Sequence, residues 1–169
     1  ELNRWLCAWA RKNYKIQVQP RNLFDLNYPD NHFDLVTLWD VLEHVPDAKK
    51  MLEECHRITK KDGYVVINYP NVGSWLAKLM GRKWIFMLSV HLFYFTPRTI
   101  KSMLKKTGFE VVHSSPHFQT LELGYLMFRM RAYSMFLHKF GSRITKLLGM
   151  EKSNIMYWLG QTIVIAKKS

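Results

Sequence analysis

Two strand-length apolar runs flank a helical segment, and that order constrains the fold more than any other feature of this 169-residue chain. Phe33 to Trp39 is mostly continuous in apolar residues, the pattern of a strand covered on both faces of a parallel sheet. Asp47 follows as an N-cap, and Met51, Leu52, Cys55 and Ile58 lay an apolar stripe along a helix expected to run to about Lys60. Asp62-Gly63 is expected to close that helix. Tyr64 to Tyr69 then reads as a second buried strand, ended by Pro70-Asn71. Parallel neighbours need a crossover of about this length, so the order strand, helix, strand predicts an α/β sheet.

The remaining punctuation extends the pattern. Thr96 is placed as an N-cap with Pro97 at the first helical position, Ile100, Met103 and Leu104 as the stripe, and Gly108 as terminator. Phe109 to Ser114 and Gln161 to Ala166 read as strands. Leu2, Trp5, Leu6 and Trp9 fall at helical spacing, predicting an amphipathic helix over roughly residues 2–13. Lys15 to Gln19 alternates and predicts a short strand bounded by Pro20. Residues 118–158 are aromatic and basic and are expected to form a helical insert within a single domain spanning 1–169. The most hydrophobic long window, Phe118 to Leu137, carries Glu122, Arg129 and Arg131, which argues against a spanning helix.

Hydrophobic residues make up 48% of the chain, enough for a packed core and against wholesale disorder. Lys and Arg number 25 against 13 acids, a net charge of +12, which calls for an anionic partner without choosing among nucleic acid, membrane surface and phosphorylated substrate. Two cysteines, Cys7 and Cys55, are too few for a disulfide scaffold. They point to a reducing, cytoplasmic compartment.

Phe33-Asp-Leu-Val-Thr-Leu-Trp-Asp-Val-Leu-Glu-His-Val-Pro-Asp47 resembles the class I S-adenosylmethionine-dependent methyltransferases, above all the branch of ubiquinone-biosynthesis O-methyltransferases and bacterial small-molecule and glycan methyltransferases. The similarity continues through Arg57 to Asn71, through His91-Leu-Phe-Tyr-Phe-Thr-Pro97 and through Thr107-Gly-Phe-Glu-Val111, four pieces in the family's order. It implies a Rossmann-like sheet, mostly parallel with an antiparallel last strand, and S-adenosylmethionine as cofactor. The family's first strand and Gly-rich loop have no counterpart here, so the chain resembles the C-terminal two-thirds of such an enzyme. On its own it is expected to be poorly stable or inactive, and the Ile16 strand is expected to lack a neighbour.

The resemblance implies site residues. Glu1 matches the acid that accepts from both ribose hydroxyls, a role that suits one carboxylate facing a vicinal diol, and Leu2 would pack on the adenine. Asn22 stands where the family often has an Asp on the adenine amine, and Leu23 would supply a backbone N–H. Trp39 stands where the family contacts the methionine moiety. If the acceptor is a hydroxyl, a base must take its proton, and His44 and His91 are the candidates. Asp40, Glu43 and His44 lie at i, i+3 and i+4, and with His91 they form an alternative metal-ligand array if residues 40–44 make a helical turn. The principal expectation is that no metal is bound. Metal-dependent RNA 2′-O-methyltransferases carry a similar array, whereas many relatives with Leu-Glu-His use no metal.

Trp75, Arg82, Trp84 and Tyr94 lie in the region with which relatives close the substrate pocket, against the alternative of core packing. Phe136, Phe140, Ile144, Leu147 and Leu148 can share one helix face with Lys139, Arg143 and Lys146 near another. That pattern suits an anionic membrane and a lipid-linked acceptor, or else a lid helix with a solvated basic face. The expected activity is methyl transfer to a small-molecule, lipid or glycan acceptor on oxygen. The alternatives are an RNA methyltransferase and a non-catalytic remnant. Nucleic acid ranks behind, because the positive charge is spread over many helices and no nucleic-acid motif is present. Oligomeric state leaves no mark in the sequence.

Overall fold

A computed structural model describes residues 1–132 and 134–169. Helix α1 spans Arg4–Tyr14, capped by the Asn3 side chain, which accepts from the Trp5 and Leu6 amides. Strand β1 (Phe33–Trp39), helix α2 (Ala48–Ile58) and strand β2 (Thr59–Pro70) follow. Then come the short α3 (Trp75–Met80), α4 (Pro97–Lys106), β3 (Phe109–Pro116), β4 (Gln119–Glu122), α5 (Leu123–Arg129), α6 (Met135–Leu147), β5 (Asn154–Tyr157) and β6 (Gln161–Lys168). The main sheet has the order β1-β2-β6-β3. β1 and β2 are parallel, and β6 runs antiparallel to both β2 and β3. The expected α/β, Rossmann-like sheet with one antiparallel strand, its last, is therefore present.

One face of this sheet carries the core. Leu52 and Cys55 of α2 and Ile100 and Leu104 of α4 pack on Val65, Ile67, Phe109, Val164 and Ala166, all buried. Burial pushes the Cys55 thiol up to about 12, so it stays protonated and inert. α4 starts as its sequence predicts: the Thr96 hydroxyl accepts from the Thr99 amide, Thr99 Oγ1 accepts from the Thr96 amide, and Pro97 fills the first position. Gly108 ends it at φ +86°, a conformation that would strain any side chain.

Several local expectations are corrected. Residues 15–19 form no strand. Lys15 adopts the left-handed conformation at the end of α1, and the Val18 carbonyl is taken by the Arg11 guanidinium instead of a neighbouring strand. α2 ends at Ile58, and Asp62-Gly63 lies inside β2. Glycine is required there by close approach, since a Cβ would sit 2.9 Å from the Asp34 carbonyl oxygen. β1 is covered on one face only, leaving Leu35 and Trp39 about half exposed. The insert at 118–158 is not wholly helical: α5 and α6 stand beside a β4–β5 antiparallel pair. No described helix is long and apolar enough to cross a membrane.

Burial makes two expectations quantitative. Leu104→Ala removes a fully buried side chain and is expected to cost about 2–5 kcal/mol in urea unfolding. Leu147→Ala, at a position 84% exposed, should stay within about 0.5 kcal/mol. His56 lies against the Phe109 ring at 5.2 Å. Burial, then the Lys168 charge, hold its imidazole below the usual histidine range, while a backbone bond at Gly108 opposes them. The unfolded chain therefore binds the proton more readily, and this contribution to stability is present above about pH 6.5 and lost as pH falls through the folded value. Urea midpoints should drop between pH 7.5 and pH 5.5, and His56→Gln should reduce that drop.

Candidate functional site

The polar residues of interest gather where β1 and β2 end and β6 begins. Asp40 leaves β1 at φ +50°, a conformation Asp tolerates better than most residues. Its Oδ1 accepts from Asn68 Nδ2 at 3.0 Å and from Gln161 Nε2 at 2.9 Å, and its amide donates to the Asn68 carbonyl at 3.3 Å. One carboxylate thus joins the ends of three strands. Residues 41–45 are turns rather than the helical turn that the i, i+3, i+4 spacing implied, so Asp40 leaves the metal array.

Beyond Asp40 the chain turns inward. Leu42 and Glu43 are buried, at 0% and 1% exposure. The Glu43 carbonyl accepts from the amides of Leu92 (2.7 Å) and Phe93 (3.3 Å), which fixes the His91 segment against this turn. His44 Nδ1 donates to the Val90 carbonyl at 3.2 Å, leaving Nε2 as its free lone pair. The rings of His44 and His91 pack edge to face, 4.7 Å between centroids. Both Glu43 carboxylate oxygens and His91 Nδ1 are buried without a hydrogen-bond partner. Burial raises the Glu43 carboxyl above the usual range. Burial, followed by the His44 charge, holds His91 below the usual imidazole range, so it is neutral at pH 7.

The other predicted residues disperse. Glu1 and Leu23 line one cavity of about 420 Å³ along the free edge of β1, walled by Leu26, Phe33, Leu35 and Val36. The Glu1 carboxylate already accepts from the Asn3 amide at 2.8 Å through one oxygen. Asn22 accepts from the Phe24 amide at 3.3 Å, capping the helical turn Leu23–Leu26, and Leu2 is exposed. Trp39, half exposed, tilts against His117 at 5.6 Å and does not join that cavity. Of the proposed substrate residues, Trp84 is 2% exposed and its indole N–H donates to the Leu159 carbonyl at 2.8 Å. Its role is corrected to a core anchor, because the buried indole finds its partner inside the fold. Trp75 is exposed and faces Trp158 across 6.1 Å. Arg82 is exposed, and Tyr94 donates to the Leu88 carbonyl at 3.1 Å beside the His91 ring.

A second cavity, of about 430 Å³, was missed from sequence. Asp40, Phe86, Tyr125, Arg129, Tyr157 and Gln161 line it together with Ile85, Leu121, Leu126 and Leu159. The aromatic content of residues 118–158 was the only sequence signal for it. The cavity meets the strand ends at Asp40 and Gln161, at the C-terminal side of β1 and β2, where open α/β sheets bind ligands.

Residues 2–114 match the family model described as a methyltransferase domain. The chain is 40% identical over 57 residues to a demethylmenaquinone methyltransferase of Geobacillus stearothermophilus, covering 34% of this chain and 24% of that protein. It is 31% identical over 86 residues to a ubiquinone biosynthesis O-methyltransferase of Pseudomonas aeruginosa, covering 47% of this chain and 37% of that protein. The matches thus span only about a quarter to over a third of these relatives' length. Among solved structures, a methyltransferase of Thermotoga maritima, described as a possible histamine N-methyltransferase, aligns with TM-score 0.64 at 19% identity, over 100% of this chain and 72% of the other. A methyltransferase of Archaeoglobus fulgidus aligns with TM-score 0.62 at 19% identity, over 99% and 74%. With the sheet order, the strand-end polar cluster and a family match over residues 2–114 in agreement, the chain belongs to the class I S-adenosylmethionine-dependent methyltransferase family.

Proposed function

We propose that this chain serves S-adenosylmethionine-dependent methyl transfer to an oxygen atom of a small-molecule or lipid acceptor, with glycans as a further acceptor class. The carrying observation is the apolar cavity at the strand ends, walled by Asp40, Phe86 and Gln161.

The residues around the first cavity fit the adenosyl half of the cofactor. One Glu1 oxygen caps the following turn and the other is left for a diol. Leu23 opens a helical turn, so its amide has no intrahelical partner. Leu26, Leu35 and Val36 offer apolar walls for a flat base. The cofactor, when bound, supplies the reactive sulfonium methyl. The chain's own part is to orient the acceptor, exclude water and hold its proton. His91 is neutral at pH 7 and His44 keeps Nε2 free, so either imidazole can accept a hydroxyl proton.

The acceptor cavity is apolar over Ile85, Leu121, Leu126 and Leu159, with Arg129, Tyr125 and Tyr157 as polar groups. That mixture suits an aromatic or prenylated acceptor with a few oxygens. The names of the curated relatives, which concern menaquinone and ubiquinone synthesis, support the same class. We place the reaction in the cytoplasm, at an anionic membrane surface. Phe136, Phe140 and Leu147 are exposed along α6, which also carries Lys139, Arg143 and Lys146. This is the pattern of an interfacial helix.

Two measurements test this reading. In a protein extended upstream to carry the family's first strand and Gly-rich loop, methyl-labelled S-adenosylmethionine should transfer label to a catechol or prenylated quinol and not to RNA, and His91→Asn should lower kcat by about 10²–10⁴-fold. Absence of transfer to the phenolic acceptors refutes the reading, and label in RNA moves it to nucleic acid. Replacing Lys139, Arg143 and Lys146 by Glu should abolish salt-sensitive retention on phosphatidylserine vesicles. Unchanged retention assigns α6 to a lid.

A further inference from the structure

We infer that Trp75 and Trp158 form the platform of a second binding site, which takes a neutral pyranose ring of a saccharide. The two indoles stand 6.1 Å apart between ring centroids and are tilted by 39°. They wall a cavity of about 270 Å³ together with Asn71, Ser74, Ser115 and Thr162. The segment that joins β5 to β6 divides this cavity from the one at the strand ends. Tyr157, Leu159 and Gln161 line that one, whereas Trp158 and Thr162 line this one.

The walls select the ligand. None of the described residues lining the cavity is charged, so a carboxylate or phosphate finds no counter-ion there. A cation finds no carboxylate, and the chain's net charge of +12 disfavours it further. A flat aromatic ring cannot slide between the indoles, because two stacking contacts need about 7 Å and parallel faces. The walls therefore suit a ligand with an apolar face and hydroxyls around its rim. A pyranose has both: its axial C–H bonds pack on an indole while its hydroxyls reach the polar wall. A cavity below about 300 Å³ takes one such ring rather than a drug-sized molecule.

The polar wall keeps hydrogen-bonding capacity for those hydroxyls. Ser74 Oγ accepts from the Ala77 amide at 3.1 Å, so its O–H remains to donate. Asn71 Nδ2 donates to Thr162 Oγ1 at 3.1 Å and keeps a second N–H. The site is also held in place without a ligand, which lowers the cost of binding. Trp158 Nε1 donates to the Gln161 carbonyl at 2.7 Å and so fixes its ring. The Asn71 amide donates to the Gly160 carbonyl at 2.9 Å. Gly160, at φ +96°, lets Ser74 approach where a Cβ would sit 2.7 Å from its Oγ. Trp75, 64% exposed, offers its ring to the ligand. Neither His44, His91 nor Glu1 lines this cavity, so the site can fail or succeed independently of the proposed methyl transfer.

The test is saturation-transfer NMR on the protein extended upstream by the family's first strand and Gly-rich loop, with no cofactor added. The probes are the methyl glycosides of glucose, galactose and mannose, with choline as the cationic rival. Saturation should pass to the ring C–H protons of at least one glycoside and level off at millimolar sugar. Trp75→Ala should weaken binding about tenfold or more, and Trp75→Phe should retain most of it. Trp5→Ala, on α1, should bind like the unaltered protein. Silence from all three glycosides, transfer to choline in their place, loss in Trp5→Ala, or an affinity indifferent to Trp75→Ala in the folded protein overturns the site.

Discussion

A single carboxylate oxygen organises the functional end of this molecule. Asp40 Oδ1 accepts from Asn68 at the end of β2 and from Gln161 at the start of β6, while its own residue terminates β1. Asn68 and Gln161 are 1% and 2% exposed, so their amide donors have little access to water. Leaving such donors unpaired costs about 1–3 kcal/mol each. The interaction therefore fixes how three strands finish together, and everything beyond the strand ends inherits that geometry. The turn carrying Glu43 and His44 begins at Asp40, and the cavity at the strand ends has Asp40 and Gln161 in its wall.

Stability and chemistry occupy different parts of the sheet. Away from the strand ends, α2 and α4 cover one face with fully buried Leu52, Cys55 and Leu104, and caps and hydrophobic burial explain these elements. At the strand ends the rules of a quiet interior are broken. Glu43 is buried without a partner, His91 keeps an orphan ring nitrogen, and two imidazoles touch. Groups so arranged, with burial acting against their charged forms, mark a site whose stability has been spent on reactivity or binding.

The strands and helices were legible where one local signal sufficed. Thr96, Pro97 and the Ile100 stripe predict α4, and the apolar run Phe33–Trp39 predicts β1. Where a local signal needed a distant partner, it misled. Lys15–Gln19 alternates like a strand, but its carbonyl at Val18 is satisfied by Arg11. The spacing of Asp40, Glu43 and His44 suits a helical turn, but the left-handed Asp40 and the following Pro46 favour successive turns. The His44–His91 pairing was legible only as two motifs. Their contact depends on the Glu43 carbonyl bonding Leu92 and Phe93, a backbone interaction that no side-chain pattern records. The cavity at the strand ends draws residues from four distant stretches, and Trp84 resembles a pocket wall in sequence because aromatic residues serve cores and ligands alike.

The central claim is that the strand ends and the Glu1 cavity of this chain belong to a cofactor-binding sheet. Calorimetric titration of S-adenosylhomocysteine into this chain extended upstream by the family's first strand and Gly-rich loop tests it most directly. The account predicts saturable one-to-one binding by the extended protein, weakened when Glu1 is replaced by Ala, and none by the 169-residue chain alone. A folded extended protein that gives no saturable heat, or one whose affinity is indifferent to Glu1, contradicts it.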